Sequence, residues 1–317
     1  MVADEWLEHG RTHPSPRTGR GWSETHLERN KGLLRRVLTP RLGKLAIQEV
    51  TEDDLRSILE ANYKAGTRES ARRAAAIANQ IFRYAKERGK FTGPNPAAEL
   101  LSYSTLAKPE VQHFAALGQK DVGPMLRALA ESKTEPVTKA AIVLMLFTGL
   151  RDLSLRAAQW HEIDWDEATW AIPASRMKRR KSHTVPLPTQ AILTLKRLQA
   201  LTDRGPSSFV FASSSKAGYL AENTLRYTLH RLGFEVTAHG IRSLITDVLN
   251  ENRFNADAVE RQLDHVEKDA VRRAYLRSDF FEQRVQMMQW FADWCEAQMN
   301  EKRSPEPPSN VIPMRAA

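Results

Sequence analysis

Four side chains in the C-terminal third of the chain could together act on a phosphate ester: His239, Arg242, His265 and Tyr275. His239 and Arg242 are three positions apart, which places both on one side of a helix, so the two could hold one anion. A tyrosine oxygen can attack phosphorus once local positive charge favours the phenoxide over the phenol. The combination predicts that Tyr275 attacks a DNA phosphate held by the other three side chains.

Two further basic residues could complete this chemistry. Arg151 follows a glycine that ends a predicted helix, and an arginine fork binds two phosphate oxygens while staying charged. Lys178 lies at a predicted hairpin tip, where an ammonium group can be desolvated until it donates a proton to the leaving alkoxide. The predicted catalytic set is Arg151, Lys178, His239, Arg242, His265 and Tyr275.

Each of these residues has a plainer alternative. A lone tyrosine usually packs in a core, isolated histidines usually lie on the surface or in satisfied core positions, and Arg151 could cap a carbonyl. The sequence contains no Gly-x4-Gly-Lys-Ser/Thr nucleotide loop and no carboxylate-rich metal cluster, so neither a metal nor another cofactor is predicted. The single cysteine, Cys295, cannot form an internal disulfide, and its apolar helical stripe predicts a buried, inert thiol.

The composition favours a polyanionic partner. The chain has 317 residues, a formal net charge of +9, 41% hydrophobic and 27% charged residues, which is typical of a globular protein with nucleic acid as the first candidate partner. No stretch of apolar residues is long enough to span a membrane, and the N-terminus lacks the features of a signal peptide. The sequence therefore predicts a cytoplasmic, nucleoid-associated protein without a membrane partner.

Composition shifts along the chain predict five segments. Residues 1–22 are rich in Pro, Gly and Arg and are expected to form a flexible basic arm after a short helical turn. Residues 23–103 show helical periodicity, 104–118 lack periodicity and form an interdomain linker, 119–300 form the catalytic domain, and 301–317 form a disordered tail. The predicted fold is mainly α with a small antiparallel β-sheet.

Local signals place the elements. Ser23 or Thr25, the Thr51–Asp54 capping box and Thr67 are expected to begin helices in the first domain, with Pro40 and Gly43 breaking the first of these. In the second domain, β-rich segments at 160–165 and 169–172 predict a hairpin, and a third strand is expected at 184–187. Helices are expected around this sheet, the last at 280–296.

Two basic clusters are candidates for DNA contact. One face of the helix after Thr67 is basic, which is typical either of a solvated face or of a DNA footprint. Five of the six residues from Arg176 to Lys181 are basic, and their mutual repulsion favours a nearby anion. The predicted DNA-binding residues are Arg72, Arg73, Arg83, Lys86, Arg176, Arg179, Arg180 and Lys181.

Over about residues 20–300 the sequence resembles the tyrosine recombinase family, specifically prophage-type integrases. The matching motifs are Thr148-Gly149-Leu150-Arg151, Met177-Lys178 with His183-Thr184-Val185-Pro186-Leu187, His239-Gly240-Ile241-Arg242-Ser243, Leu263-Asp264-His265 and Ala274-Tyr275. Six catalytic residue types in the family's order make the resemblance specific.

The resemblance implies a helical, SAM-like core-binding domain and a mixed α/β catalytic domain that form a C-shaped clamp on duplex DNA. It implies that Arg151 and Arg242 bind the scissile phosphate, that His239 and His265 assist, that Lys178 is the general acid and that Tyr275 attacks. A 3′-phosphotyrosyl intermediate, attachment or core sites and a synaptic homotetramer follow from the same resemblance, with DNA-bending accessory proteins such as integration host factor and an excisionase as further partners. The last helix is expected to dock on a neighbouring protomer.

Two departures from the family pattern stand out. The family's glutamate three residues after the first arginine is Ser154 here, which is expected to affect the support of Arg151. The N-terminal arm-binding domain typical of such integrases is predicted to be missing, which would leave a simple-site recombinase or a truncated gene product. Alternatives are a decayed integrase that only binds DNA and a type IB topoisomerase-like enzyme.

Overall fold

The computed structural model describes residues 2–14, 19–102, 116–177, 180–265 and 278–308. The chain divides into two compact units, residues 1–112 and 113–317, and each has a hydrophobic core of its own. The first unit is helical, and the second combines helices with a small antiparallel sheet. This architecture confirms the fold class predicted from the sequence.

Polar side chains begin two helices of the first unit at the predicted positions. Ser23 accepts a hydrogen bond from the backbone N–H of His26 at 3.3 Å, and Thr51 and Asp54 form a reciprocal capping box. The alanine-rich face of the long fifth helix is buried in the core. The helices are α1 (Val2–Thr12), α2 (Glu24–Leu33), α3 (Thr39–Leu42), α4 (Glu52–Lys64) and α5 (Arg68–Glu87).

Two features of the first unit differ from the sequence-based expectations. The short helical turn expected before the basic arm extends over residues 2–12 as α1, because Trp6 and Leu7 bury their side chains in the core of this unit. The chain also stays helical past Leu38, since the π-helical turn Leu34–Leu38 leads directly into α3. Pro40 lies in the first turn of α3, where its missing N–H costs little, and Gly43 ends the helix.

The second unit places eight labelled helices around three strands. The helices are α6 (Val122–Glu131), α7 (Pro136–Thr148), α8 (Asp152–Arg156), α9 (Thr189–Thr202), α10 (Thr224–Arg231), α11 (Ala238–Glu251), α12 (Ala256–Gln262) and α13 (Phe281–Met299). The strands are β1 (Ile163–Asp164), β2 (Thr169–Ile172) and β3 (His183–Pro186).

The three strands form an antiparallel sheet in the order β1-β2-β3, as the sequence predicts. Trp170 of β2 pairs with Ile163 of β1 on one side and with Val185 of β3 on the other. Trp170 and Val185 are fully buried, so this face of the sheet belongs to the core. Strand β1 is shorter than predicted because residues 160–162 form a 3₁₀ turn instead.

Helix α13 packs one face into the core of its own unit, and its docking on a neighbouring protomer stays a prediction. Met288, Phe291 and Cys295 are completely buried in the core of the second unit. Val285 of the same helix is 43% exposed, whereas the neighbouring Arg284 is buried. Among the described residues, no helix is long and apolar enough to cross a membrane.

Candidate active site

The turn after α7 positions Arg151. Gly149 ends α7 in the left-handed conformation, with φ of +65°, and donates its N–H to Met145 at 3.0 Å. A Cβ at this position would lie 2.6 Å from Leu263 Cδ2, so only glycine fits both the backbone angle and the close approach. Arg151 follows two residues later as the N-cap residue of α8.

Arg242 is held in the interior by backbone carbonyls. Thr237 caps α11 by accepting from the N–H of Gly240 at 3.0 Å, which fixes the start of the helix that carries Arg242. The guanidinium of Arg242 donates to the carbonyl oxygens of Gly149 and Leu263. The end of α7 carries partial negative charge on its free carbonyls, so a cation is well placed there.

The turn at residues 263–264 brings the two arginines together. Arg151 Nη1 lies 2.5 Å from the carboxylate of Asp264, and its Nη2 donates to the backbone carbonyl of Asp264 at 2.7 Å. Arg242 contacts the carbonyl of the preceding Leu263. Two arginines that are distant in sequence therefore bind adjacent residues of one turn.

Burial and positive charge set the protonation of this site. Burial, with a further contribution from the nearby charge of Arg151, lowers the pKa of Arg242 to about 10. Arg242 is therefore still a cation at neutral pH. Burial and then the charge of Arg242 likewise lower the pKa of His265, while Glu260 opposes the shift. The lowered pKa favours the neutral imidazole of His265 over its cation.

The two predicted histidines lie on either side of Arg242 in sequence. His265 Nδ1 is 3.1 Å from a carboxylate oxygen of Glu260, and its backbone N–H donates to the Glu260 carbonyl. His239 is exposed in the first turn of α11, one turn before Arg242. The structure thus places Arg151, Arg242 and His265 around one turn and His239 on the helix that leads to it.

The predicted nucleophile and general acid lie outside the described residues, as does Arg179. Tyr275 falls between His265 and Ser278, which are both described, and Lys178 directly follows Met177, which is buried. Their roles remain predictions from the sequence.

The basic face of α5 keeps most of its side chains accessible. Arg73, Arg83 and Lys86 are exposed, and Arg72 is half-buried. Arg73 also pairs with Glu69 one turn earlier at 2.8 Å, an exposed ion pair of the kind that contributes little to stability. All four side chains remain candidates for DNA contact.

The prediction that Arg176 contacts DNA is corrected by the structure. Its side chain is 14% exposed and turns inward, where it pairs with the buried carboxylate of Glu162 and donates to the carbonyl of Ala157. An unpaired buried carboxylate costs more free energy than a phosphate that stays in contact with water. This difference explains why Arg176 turns inward to Glu162. Arg180 and Lys181 are exposed, and both remain candidates for DNA contact.

Two residues in and around the site escaped the sequence analysis as functional groups. Asp264 was noted only as part of a motif, although its carboxylate binds Arg151. Arg284 is fully buried, and donates to Gln262, Asp279 and the carbonyl of Thr184. A charged residue inside an otherwise apolar helical stripe was the available signal for Arg284. Within the described ranges, no cluster of three or more His, Cys, Asp or Glu side chains could hold a metal ion.

A helical unit, a second unit with a three-stranded sheet and two converging arginines define the tyrosine recombinase class of protein. Residues 116–282 match the model of the phage integrase family, and residues 1–101 match that of the phage integrase central domain. The chain belongs to the phage integrase family.

Named relatives agree with this assignment. The chain is 32% identical to the prophage integrase IntA of Escherichia coli K12 over 83% of its own length and 63% of that protein. It is 30% identical to the integrase of Enterobacteria phage P4 over 95% of its own length and 70% of that protein. The chain therefore spans slightly less than two thirds of IntA and slightly more than two thirds of the P4 protein.

Two solved structures of λ integrase share the fold. The fragment 75–356, a dimer bound to a COC′ core site, superposes with a TM-score of 0.63 at 20% identity, covering 83% of this chain and 95% of that one. A λ integrase tetramer bound to a Holliday junction superposes with a TM-score of 0.63 at 19% identity, covering 84% of this chain and 78% of that one.

Proposed function

We propose that this chain is a site-specific DNA recombinase that cleaves and rejoins duplex DNA through a 3′-phosphotyrosyl intermediate. The observation that carries the proposal is the convergence of Arg151 and Arg242 on the turn at residues 263–264. Two cations beside one carboxylate leave an excess of positive charge, which a phosphate diester would neutralise. Membership of the phage integrase family supports the same activity.

The proposed reaction uses the chain's own side chains throughout. The Tyr275 hydroxyl gives its proton to His239 or His265 as its oxygen attacks phosphorus. The bond from phosphorus to the 5′ oxygen breaks, and the leaving oxygen takes a proton from Lys178. Arg151 and Arg242 stabilise the charge that develops on the non-bridging oxygens, and His239 and His265 assist. The ester conserves the energy of the broken bond, so the 5′ hydroxyl of another strand can reverse the reaction without a further energy source.

The proposed partners follow from the relatives and from the charge of the chain. Double-stranded DNA at attachment or core sites is the proposed substrate, because λ integrase has been solved on a core site and this chain carries a net charge of +9. The λ integrase tetramer on a Holliday junction supports a homotetramer in the synaptic complex. Integration host factor and an excisionase are proposed accessory partners, in the nucleoid of the bacterial cytoplasm.

The proposal is tested with a nicked suicide duplex that carries the candidate attachment site. Wild-type protein should form a covalent adduct that survives denaturation, and Tyr275→Phe, which lacks only the attacking oxygen, should form none. The exposed Tyr227 provides a matched control, since Tyr227→Phe removes a hydroxyl far from the predicted chemistry in sequence and should keep the adduct.

Other outcomes would replace the proposed function. Retarded DNA without any adduct on the flanking repeats of the host genome would indicate a DNA-binding protein. Relaxation of plasmids that lack an attachment site would indicate a topoisomerase-like enzyme.

A further inference from the structure

Asp264 occupies a backbone conformation that favours glycine. Its φ is +48°, in the left-handed region, where it ends the turn that follows α12. The local hydrogen bonds of this turn come from the backbone, with Asp264 N–H donating to Arg261 and His265 N–H donating to Glu260. Glycine would satisfy the same turn with less strain, although aspartate tolerates this region better than most residues. The carboxylate therefore needs a reason outside the turn.

That reason is the contact with Arg151. The carboxylate and the backbone carbonyl of Asp264 receive Nη1 and Nη2 of Arg151 at 2.5 Å and 2.7 Å. A guanidinium held at two points by one residue is fixed in direction as well as in place. These contacts engage only part of the guanidinium, so its other N–H groups can still reach a phosphate oxygen.

The exposure of the two side chains indicates that Asp264 supports Arg151 and does not compete with the substrate for it. The side chain of Asp264 is 8% exposed, whereas that of Arg151 is 31% exposed. The carboxylate thus lies on the protein side of the guanidinium and leaves the outer side open. A carboxylate that took the place of a phosphate would instead lie on the accessible side.

Helix α8, which follows Arg151 directly, offers no equivalent support. Asp152 pairs with Arg156 at 2.7 Å. Ser154 is buried, and its hydroxyl faces the carbonyl of Arg176 and the sulfur of Met177. The acid that holds Arg151 comes instead from a turn more than a hundred residues later in the chain.

We propose that Asp264 is the positioning residue that orients Arg151 towards the scissile phosphate. The inference rests on the proposed function. Three consecutive residues would then contribute to the site. Leu263 accepts a hydrogen bond from Arg242, Asp264 accepts one from Arg151, and His265 follows directly. A displacement of this turn would disturb both arginines at once.

Two substitutions separate the carboxylate from the turn. Asp264→Gly keeps the left-handed backbone and the carbonyl contact to Arg151 but removes the carboxylate. Asp264→Asn keeps the shape and one acceptor oxygen but removes the charge. Single-turnover adduct formation on the suicide duplex should fall by about 10–100-fold in Asp264→Gly and by less in Asp264→Asn. Equilibrium DNA affinity should stay within about twofold, since the outer donors of Arg151 remain.

A double-mutant cycle distinguishes positioning from a general structural role. If Asp264 acts through Arg151, then Asp264→Gly should cause little further loss in an Arg151→Ala background. Fully additive losses would overturn the proposal. An unchanged adduct rate in Asp264→Gly would also overturn it, and a raised rate would identify the carboxylate as an inhibitor instead.

A second measurement does not depend on DNA cleavage. Labelling of Arg151 by phenylglyoxal, followed by peptide mass spectrometry on the full chain, should be several-fold faster in Asp264→Gly, because the guanidinium loses its charged partner. Asp152→Asn is the matched control, since Asp152 pairs with a different arginine and should leave the labelling of Arg151 unchanged. Equal labelling in wild type and Asp264→Gly would overturn the inference. Faster labelling in a protein that forms no adduct with DNA would show that Asp264 holds Arg151, while the proposed function fails.

Discussion

Arg242 carries its charge in an interior position, where its guanidinium donates to backbone carbonyl oxygens. Its acceptors are the carbonyls of Gly149 and Leu263, which belong to the end of α7 and to the turn after α12. Only a planar fork can reach two such acceptors and still face a phosphate. Arg242 therefore fixes the geometry of the site and also supplies positive charge to it.

Replacing Arg242 by lysine should separate charge from geometry. Arg242→Lys keeps a cation but cannot contact both carbonyls, so the adduct rate on the suicide duplex should fall by about 10²–10³-fold. Arg197→Lys, at an exposed position of α9, is the matched control and should behave as wild type. A wild-type rate in Arg242→Lys would show that charge alone suffices.

The buried imidazole of His183 should make the stability of the second unit sensitive to acid. It is 3% exposed in β3, and its Nε2–H donates to the carbonyl of Gln262 at 3.0 Å. Burial, with a further contribution from the charge of Arg284, lowers the pKa of His183 to about 4. The folded state thus holds this imidazole neutral, whereas the unfolded chain protonates it near its ordinary value of about 6.5.

Stability should therefore fall as the pH decreases from about 6.5 to about 4. In this window the unfolded state binds more protons than the folded state, which costs up to about 1.4 kcal/mol per pH unit for this group. The free energy of unfolding in urea, measured across this range, should be less pH-dependent in His183→Gln than in wild type. His161→Gln, at an exposed position in the same unit, controls for a general histidine effect. Parallel pH profiles for wild type and His183→Gln would contradict the expectation.

At the scale of elements, one buried arginine fastens α13 to the rest of the second unit. Arg284 donates to the side chain of Gln262 at 2.9 Å and to the carbonyl of Thr184 at 2.6 Å. Gln262 in turn donates to the carbonyl of Thr148 at the end of α7. Helix α13, strand β3 and the ends of α12 and α7 thus share one hydrogen-bond network beside the candidate active site.

Truncation of Arg284 should loosen this junction. Arg284→Ala leaves buried acceptors unpaired and a cavity, so the unit should lose about 3–5 kcal/mol of stability. Cys295 reports on the same helix, because burial raises the pKa of its thiol and keeps it unreactive in the folded state. Thiol labelling should be slow in wild type and clearly faster in Arg284→Ala.

Glu282→Ala provides the control for this experiment, since Glu282 lies on the exposed face of the same helix. Equal unfolding energies and thiol-labelling rates in Arg284→Ala and Glu282→Ala would show that the network does not hold α13 in place.

Across the whole molecule, the net charge of +9 should govern the proposed encounter with DNA. Each phosphate that the protein neutralises releases condensed counterions, so affinity should fall steeply with salt. If six to ten phosphates are contacted, the affinity measured by fluorescence anisotropy should drop by about 10³–10⁵-fold between 50 and 200 mM salt. A nearly flat salt dependence would contradict binding by the exposed basic side chains.

The same measurement can assign the basic residues individually. Arg83→Ala and Lys86→Ala remove exposed charges of α5 and should each lower the salt slope by about one if they contact phosphate. Arg176→Ala is not a useful probe of DNA contact, because its side chain pairs with the buried Glu162 and the substitution would disturb the fold.

Features that depend on neighbouring residues could be predicted from the amino-acid sequence. The Thr51–Asp54 capping box, the hairpin between β1 and β2 and the end of α7 at Gly149 follow from local hydrogen bonds and backbone preferences, which a short stretch of chain displays. The order of the predicted catalytic residues could also be seen in the sequence, because residue type and spacing do not depend on knowledge of the fold.

The partners of the buried charged side chains became visible only in the folded chain. The pairing of Arg151 with Asp264, the inward turn of Arg176 to Glu162 and the burial of Arg284 join residues of different elements. Burial makes an unpaired charge costly, so each of these side chains takes the partner that packing brings to it. Which partner a buried charge takes depends on the packing of the folded interior, and no local sequence pattern predicts it.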